Sequence, residues 1–346
     1  MADGRTPRRA GMREVARAAG VSSSTVANVL NNPGLVAATT RQRVVDAMHL
    51  VGFVRSGPAR QLRGAPSRLV GAVVLDQGNA FYAAVGRGIE DRITEAGCML
   101  LTCSTDMQAD KEARTLRVLE EQAVRGIIIT PTEQNPDQLA GVAERGTPVI
   151  LLDCPRDRLD LCAVTVDHVL GGRLVGEHLT ALGHRRVAFL LGTADISPVT
   201  ERRKGVVLAL VAAGLDPGDA LIEIRVPSPT SFDDAEAAVG AILADPDPPT
   251  AIVCVNDVTA LGVIRGLALH GLRAPDDMSV VGYDDMQFAA HLHPRLTTVA
   301  RPTRQLGWTA ADLLLDESSA DHEHRELQFR PALVVRDSTA APAHRR

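Results

Sequence analysis

MREVARAAGVSSSTVANVLNN, residues 12–32, places Met12, Val15, Ala16, Ala19, Val21, Val26, Val29 and Leu30 at helical spacing. Gly20 interrupts the run where two short helices must turn. Ser22 is a natural N-cap for the second helix, with Ser24 and Thr25 in its first turn. Val26, Val29 and Leu30 face inward, which leaves Ser23, Ser24, Thr25 and Asn28 outward. Short polar side chains of this kind reach base edges and phosphates. Two helices joined by a short Gly-containing turn read the major groove. A plain helical hairpin shares the pattern, so a second observation is needed.

Charge supplies it. Residues 1–64 hold ten Arg against Asp3, Glu14 and Asp46, a net of +7. The whole chain carries −5, which leaves −12 for residues 65–346. A basic head on an acidic body is the electrostatic footprint of a polyanion-binding module attached to a globular domain. Arg5, Arg8 and Arg9 fit a solvated tail equally well, but the other Arg lie in or beside helical segments.

At 346 residues and 45% apolar content the chain can bury more than one core. No run approaches the ~18 apolar residues that span a membrane. The N-terminus lacks an apolar signal core, so a cytoplasmic location is expected. Cys98, Cys103, Cys154, Cys162 and Cys254 are odd in number and lack metal-ligand spacing. They read as buried reduced thiols, and no metal or cofactor is expected. Aromatic residues make up only 3%, so the core must be Val, Leu, Ile and Ala.

Residues 1–11 read as a disordered tail. Residues 12–54 form a three-helix module whose last helix runs from Thr40 to Val51. Residues 55–66 are a hinge or linker. Ser56 and Pro58 suit the start of a short helix too small to hold alone in water. From Leu69 onward, apolar runs at 69–75, 98–103, 126–130, 148–153, 163–167, 186–192, 221–226, 251–256 and 279–284 alternate with amphipathic helices. Such alternation predicts parallel sheets covered on both faces. The fold class is therefore an all-α helix–turn–helix headpiece plus an α/β core of two doubly wound lobes. Ligands sit beyond the strand C-termini of such sheets. Asp76, Asp153, Asp167, Asn256 and Asp284 end strands there, as pocket residues or as helix caps.

With EVARAAGVSSSTVANVLNNPGLV, the ARQL hinge, NAFYAAVGRGIEDRITEAG, RGIIITP, GEHLTALGHRRVAFLLG, ERRKG, VNDVTALGVIRGL, SVVGYDD and RLTTVARP in this order, the chain resembles the lactose-repressor (LacI) family of bacterial transcription regulators over nearly its whole length. The likeness implies a headpiece, a hinge helix and a core like periplasmic sugar-binding proteins, spanning 67–340. Its lobes would be about 67–165 with 298–326, and about 166–297 with 327–340. Ser23, Ser24 and Asn28 match base-reading positions, and Leu62 matches the hinge leucine that wedges into the minor groove. Thr25 and Arg60 complete the expected DNA-contacting set. Asn79, Phe81, Asp153, Arg202, Asn256 and Asp284 match effector-contacting positions.

Several residues depart from the family pattern. Asn28 stands where many members have Arg. Ser56-Gly-Pro replaces an Asn-containing hinge start, and Ala37 replaces a Ser cap for which Thr39 is the substitute. The stretch 227–232 lacks a stacking aromatic unless Phe232 supplies it. Arg301 stands where Gln is common, as a ligand contact or as a structural partner for a carboxylate. Trp308 is expected to face the first lobe's core. His184 and the Asp284–Asp285 pair invite an acid–base assignment, but read better as a turn residue and a cap.

The expected function is a dimeric, sequence-specific repressor on a pseudo-palindromic operator. A small polyhydroxylated effector, a sugar or sugar acid, would control it, with an acidic group slightly favoured. A polar tail after Val335 without apolar heptads favours dimer over tetramer. The rivals are a transport-type solute-binding protein without a DNA role and an enzyme on a doubly wound fold. The sequence shows no phosphate-cradling glycine motif and no nucleophile elbow.

Overall fold

The computed structural model describes residues 10–55, 61, 64, 66–132, 136–156, 159–193, 196–227, 231–317, 319, 321–343. The chain separates into two units, 1–66 and 67–346. The first holds α1 (Met12–Ala19), α2 (Ser23–Asn31) and α3 (Ala38–Leu50). Gly20 ends α1 in the left-handed region at φ 62°, which glycine reaches without a Cβ penalty. The Ser22 hydroxyl accepts from the Thr25 N–H at 3.1 Å and caps α2. Val15, Val26 and Val44 meet fully buried, with Met12, Ala19, Val21, Leu30 and Phe53 packed around them. The third helix begins at Ala38, and no side chain caps it, so Thr39 does not replace the missing serine.

The second unit opens with β1 (Leu69–Val74), α4 (Ala80–Glu95), β2 (Met99–Ser104), α5 (Ala109–Glu121), β3 (Gly126–Ile129), α6 (Pro136–Glu144), β4 (Val149–Leu152) and β5 (Cys162–Val166). There follow α7 (His168–Ala181), β6 (Val187–Gly192), α8 (Ser197–Ala212), α9 (Pro217–Ala220), β7 (Leu221–Val226), α10 (Phe232–Leu243), β8 (Ala251–Cys254), α11 (Asp257–Leu269) and β9 (Ser279–Val281). The chain closes with β10 (Thr298–Ala300), α12 (Thr303–Asp316), β11 (Glu326–Phe329) and β12 (Ala332–Val334).

Two parallel sheets result, ordered β11-β5-β4-β3-β1-β2 and β7-β6-β8-β9, with β10 and β12 pairing antiparallel. Alternation along the strands sends Ala72, Ile128, Ile150 and Val164 to one face, against α4 and α12. Val73, Ile127, Ile129 and Leu151 go to the other, against α5 and α6. Apolar runs without polar alternation are what burial on both faces requires. Helices α4 and α12 touch through glycines: a Cβ on Gly88 would lie 1.9 Å from the Arg304 carbonyl oxygen, and one on Gly307 2.0 Å from that of Val85. In both sheets the strand order reverses beside the first strand, which opens a crevice at the strand C-termini.

Three expectations are corrected here. The return to the second lobe comes after Phe329, not near Leu327. Residues Glu326 to Phe329 pair with Ala163 to Val166 and extend the first sheet, and Leu327 and Phe329 pack on its core. Trp308 is 41% exposed, with Arg92 over its ring at 5.6 Å, because the buried stripe of α12 runs through Leu306, Ala310, Leu313 and Leu314. Asp285 is no cap; it pairs with Arg336 at 2.6 Å. His184 is structural: it is buried and bonds to Thr250, Ser279 and the Ala340 carbonyl.

Candidate functional site

The crevice residues come from strand ends and helix starts of both lobes. Asn79 caps α4 by accepting from the Phe81 N–H at 2.9 Å, and Asn256 caps α11 by accepting from the Thr259 N–H at 2.8 Å. Asp153 follows β4 and Asp284 follows β9, both at positive φ, 56° and 108°. Arg202 projects from α8. All six expected effector-contacting residues, Asn79, Phe81, Asp153, Arg202, Asn256 and Asp284, line one cavity with about 530 Å³ of empty space including its mouth. Asp76, expected from the sequence to end its strand at the pocket, also lines the cavity, with Tyr82, Met107, Ile196, Val199 and Arg301 among the rest of the wall. Phe232 is not in that lining; it lies beneath Arg265, whose guanidinium is 5.2 Å from its ring centre. Asp167 caps α7 through the Leu170 N–H at 2.8 Å and stands outside the cavity lining.

One buried charge network holds the site. Arg301 donates to Asp153 at 2.5 Å and to Asp284 at 2.6 and 2.9 Å, with its guanidinium 3.5 Å from the centre of the Phe81 ring. His168 Nε2 is 2.8 Å from Asp153. Arg202 donates from Nε to His168 Nδ1 at 3.3 Å and from Nη1 to the Val255 carbonyl at 2.6 Å, and it stacks 3.7 Å over Tyr283. Since Nδ1 accepts from a guanidinium, the proton of His168 sits on Nε2 and is donated to Asp153. Burial lowers His168 to about 4 and keeps it neutral, against the pull of Asp153. Burial would raise Asp153, but Arg301 and then His168 hold it well below the usual carboxylate range. Asp284 is pushed up by burial, which Arg301 only partly offsets. Burial likewise raises Tyr283 to about 12.

His168 and Tyr82 were not found in the sequence. Helical patterning in the sequence is plain only from Gly171, three residues after the helix starts, so His168 carries no local signal. Tyr82 follows Phe81 in the first turn of α4, and adjacency alone did not show that both turn inward. Arg301 was noticed, and it serves as the structural partner of two carboxylates.

On the headpiece, Ser23, Ser24 and Asn28 are exposed and Thr25 is half-buried. The Ser22 hydroxyl lies 2.7 Å from that of Ser24 and 2.8 Å from that of Thr25, so both belong to the cap as well as to the outward face. Arg55 closes the other end of α2, donating to the Leu30 carbonyl at 2.9 Å and to Asn31 Oδ1 at 2.5 Å, where a cation suits the helix dipole. Arg60, Leu62 and Pro58 lie outside the described residues.

Comparison with known proteins bears on both units. Residues 11–56 match the family described as bacterial regulatory proteins, lacI family. Residues 67–331 match periplasmic binding proteins and sugar binding domain of LacI family. The chain belongs to the LacI family. A transcriptional repressor named PurR from Aliivibrio fischeri (strain ATCC 700601 / ES114) is 33% identical over 334 residues, 95% of this chain and 98% of its own. The lac repressor dimer bound to operator and the anti-inducer ONPF superposes with a TM-score of 0.82 at 28% identity, covering 96% of this chain and 100% of that one. A LacI-family regulator from Enterococcus faecium with bound ribose gives 0.72 at 30% identity, covering 80% and 100%. As a LacI-family member the protein is a DNA-binding transcription regulator with a ligand-binding core. Among the described residues no helix is long and apolar enough to cross a membrane.

Proposed function

We propose that this regulator is a homodimeric repressor whose operator affinity is set by a small polyhydroxylated effector in the crevice between the lobes. One observation carries the reading: a single cavity lined from both lobes, with Arg301 tying Asp153 of one to Asp284 of the other. A ligand that contacts both lobes favours one lobe angle over another, and a differential affinity of this kind shifts the equilibrium. Coupling of ~1–3 kcal/mol is typical and changes DNA affinity about 5- to 150-fold. Asn79, Phe81, Asp153, Arg202, Asn256 and Asp284 would contact the effector. Ser23, Ser24, Thr25 and Asn28, with Arg60 and Leu62, would contact DNA.

The effector class follows from charge. Arg301 and Arg202 face Asp153 and Asp284, His168 is neutral, and Asp76 adds a further carboxylate to the lining, so the site holds no excess of positive charge for an anion whether or not Asp284 keeps a proton. That favours an uncharged polyol of monosaccharide size over the sugar acid expected from the sequence, in line with the ribose bound by the E. faecium relative. The cavity's acids and bases are tied to one another, which supports binding and not catalysis. Action on operator DNA would place the protein in the cytoplasm.

The test is fluorescence anisotropy on operator duplexes selected from a random pool, with thermal-shift screening of pentoses, hexoses and their acids. The reading expects a pseudo-palindromic consensus and one sugar that raises the Tm and changes operator affinity. A core that no polyol stabilises, or a ligand that leaves DNA affinity unchanged, would overturn it.

A further inference from the structure

At the end of the first sheet opposite the crevice, the connection from α12 to β11 passes over the start of β5. It carries Glu317, His322 and His324. The parallel register brings Arg325 beside Cys162, whose Sγ accepts from the Arg325 N–H at 3.4 Å. His322 Nε2 lies 3.3 Å from Cys162 Sγ and 3.3 Å from Glu317 Oε1. All three ligand atoms fall within 4.8 Å of one another. Bonds of about 2.0–2.3 Å to a tetrahedral ion set ligand atoms ~3.3–3.8 Å apart.

The surroundings fit a cation. Cys162 is fully buried, the His322 side chain is 5% exposed and that of Glu317 11%. The buried Glu317 carboxylate faces His322 Nε2 at 3.3 Å and His324 Nε2 at 3.5 Å, so it is aimed into the cluster with the imidazoles. His322 Nδ1 is 3.0 Å from Asp316, which turns Nε2 toward the cluster. His324 repeats the arrangement, with Nδ1 2.9 Å from Asp160 and Nε2 3.5 Å from the second oxygen of Glu317. Carboxylates behind the imidazoles are the usual outer shell of metal-binding histidines. Burial and the nearby Glu317 push the Cys162 thiol up, so a metal would have to displace its proton.

We propose that Cys162, Glu317 and His322 bind one zinc ion, with water in the fourth position and His324 orienting Glu317. Thiolate, imidazole and carboxylate together suit zinc and exclude magnesium and calcium. On binding, the Cys162 S–H bond is replaced by an S–Zn bond and the proton leaves to solvent; no oxidant is needed. The ion would fasten Glu317 and His322 to the start of β5. No local spacing signals this cluster, because the thiol and the imidazole are 160 residues apart.

The test uses the full chain without an affinity tag, stripped by a chelator and titrated with cobalt(II) and then zinc. One equivalent of cobalt should produce a near-ultraviolet thiolate-to-metal band and the visible bands of tetrahedral cobalt, and zinc should displace it and raise the Tm. Cys162→Ser should remove the charge-transfer band, and His322→Gln should remove stoichiometric binding. Asp316→Asn, at a half-exposed carboxylate, should fold normally and weaken zinc ~10–100-fold. No band in the parent chain, or a band that persists in Cys162→Ser, would overturn the site and leave His322 held by Asp316 and Glu317 as an ordinary ion pair. Unchanged zinc affinity in Asp316→Asn would overturn the outer-shell role given to Asp316. None of these readouts depends on DNA or effector binding.

Discussion

Arg301 Nη1 donates to Asp153 Oδ2 at 2.5 Å across 148 residues of chain, and both side chains are only 3% exposed. Arg301 follows β10, in the strand that crosses between the lobes, while Asp153 ends β4 of the first lobe. The same guanidinium holds Asp284 of the second lobe. A buried pair of this kind adds little over a well-packed apolar core, but losing one partner strands the other. The bridge therefore specifies a lobe arrangement more than it stabilises the fold.

Replacing Arg301 tests that role. Arg301→Gln leaves two buried carboxylates facing a neutral amide and should lower unfolding free energy by ~3–5 kcal/mol in urea titration. Adding Asp153→Asn to it should recover part of the loss, since one stranded charge is removed. A single variant as stable as the parent would show that water already solvates the two carboxylates.

Asp257 gives a pH signature. It is fully buried at the start of α11 and accepts from the Thr298 hydroxyl at 2.5 Å and the Met286 N–H at 2.6 Å. Burial, then Asp284, raise it to about 8 from 3.8. The folded state thus keeps a proton that the unfolded chain has lost. This contribution is fully present below about pH 4 and fades as pH rises to about 8, at no more than ~1.4 kcal/mol per pH unit. Asp257→Asn should therefore flatten the decline in Tm between pH 5 and 8, a range set by that window. Parallel pH curves for the two proteins would show that Asp257 is ionised in the fold.

Legibility in the sequence followed physical range. Strands such as β1, β3 to β6 and β8 were visible because burial on both faces demands unbroken apolar runs, and the half-buried edge strands β2 and β7 still carry enough Leu and Ile to be seen. β11 and β12, ELQF and ALV, are short, and the first alternates half-buried with exposed, so neither forms such a run. The turn of the headpiece was visible because Gly20, Ser22 and the valines act within a few residues. In the crevice, family positions named six of the lining residues, but not what they bond to. The proton of His168 and the two partners of Arg301 depend on contacts between distant segments, which no local pattern encodes.

The headpiece should carry the DNA affinity. Removing residues 1–66, the first compact unit, should abolish operator binding and leave a folded core that still binds effector. In the full chain, affinity should fall with salt at a log–log slope of about −0.9 per neutralised phosphate. Asn28→Ala should cost ~1–3 kcal/mol on the operator and little on random duplex, since a base contact carries sequence information and a phosphate contact does not. Equal losses on both duplexes would reassign Asn28 to the phosphate backbone.

Arg202 decides the effector class. Its Nε–H and one Nη1–H are committed to His168 and the Val255 carbonyl, and its plane rests on Tyr283, which leaves the second Nη1–H and both Nη2–H bonds for a ligand. These N–H groups serve separate hydroxyls of a sugar, or as a parallel Nη1/Nη2 pair a carboxylate, so the two effector classes differ in how much they lose when the fork is removed. Arg202→Lys should therefore weaken a neutral sugar, because the stacked, three-way geometry is lost, and should do so without selectivity between a sugar and its acid. Calorimetry on matched pairs of aldoses and aldonic acids measures that ratio. If the substitution weakens the acid ~10-fold more than the sugar, a difference of about 1.4 kcal/mol, Arg202 pairs with an anion and the effector is a sugar acid.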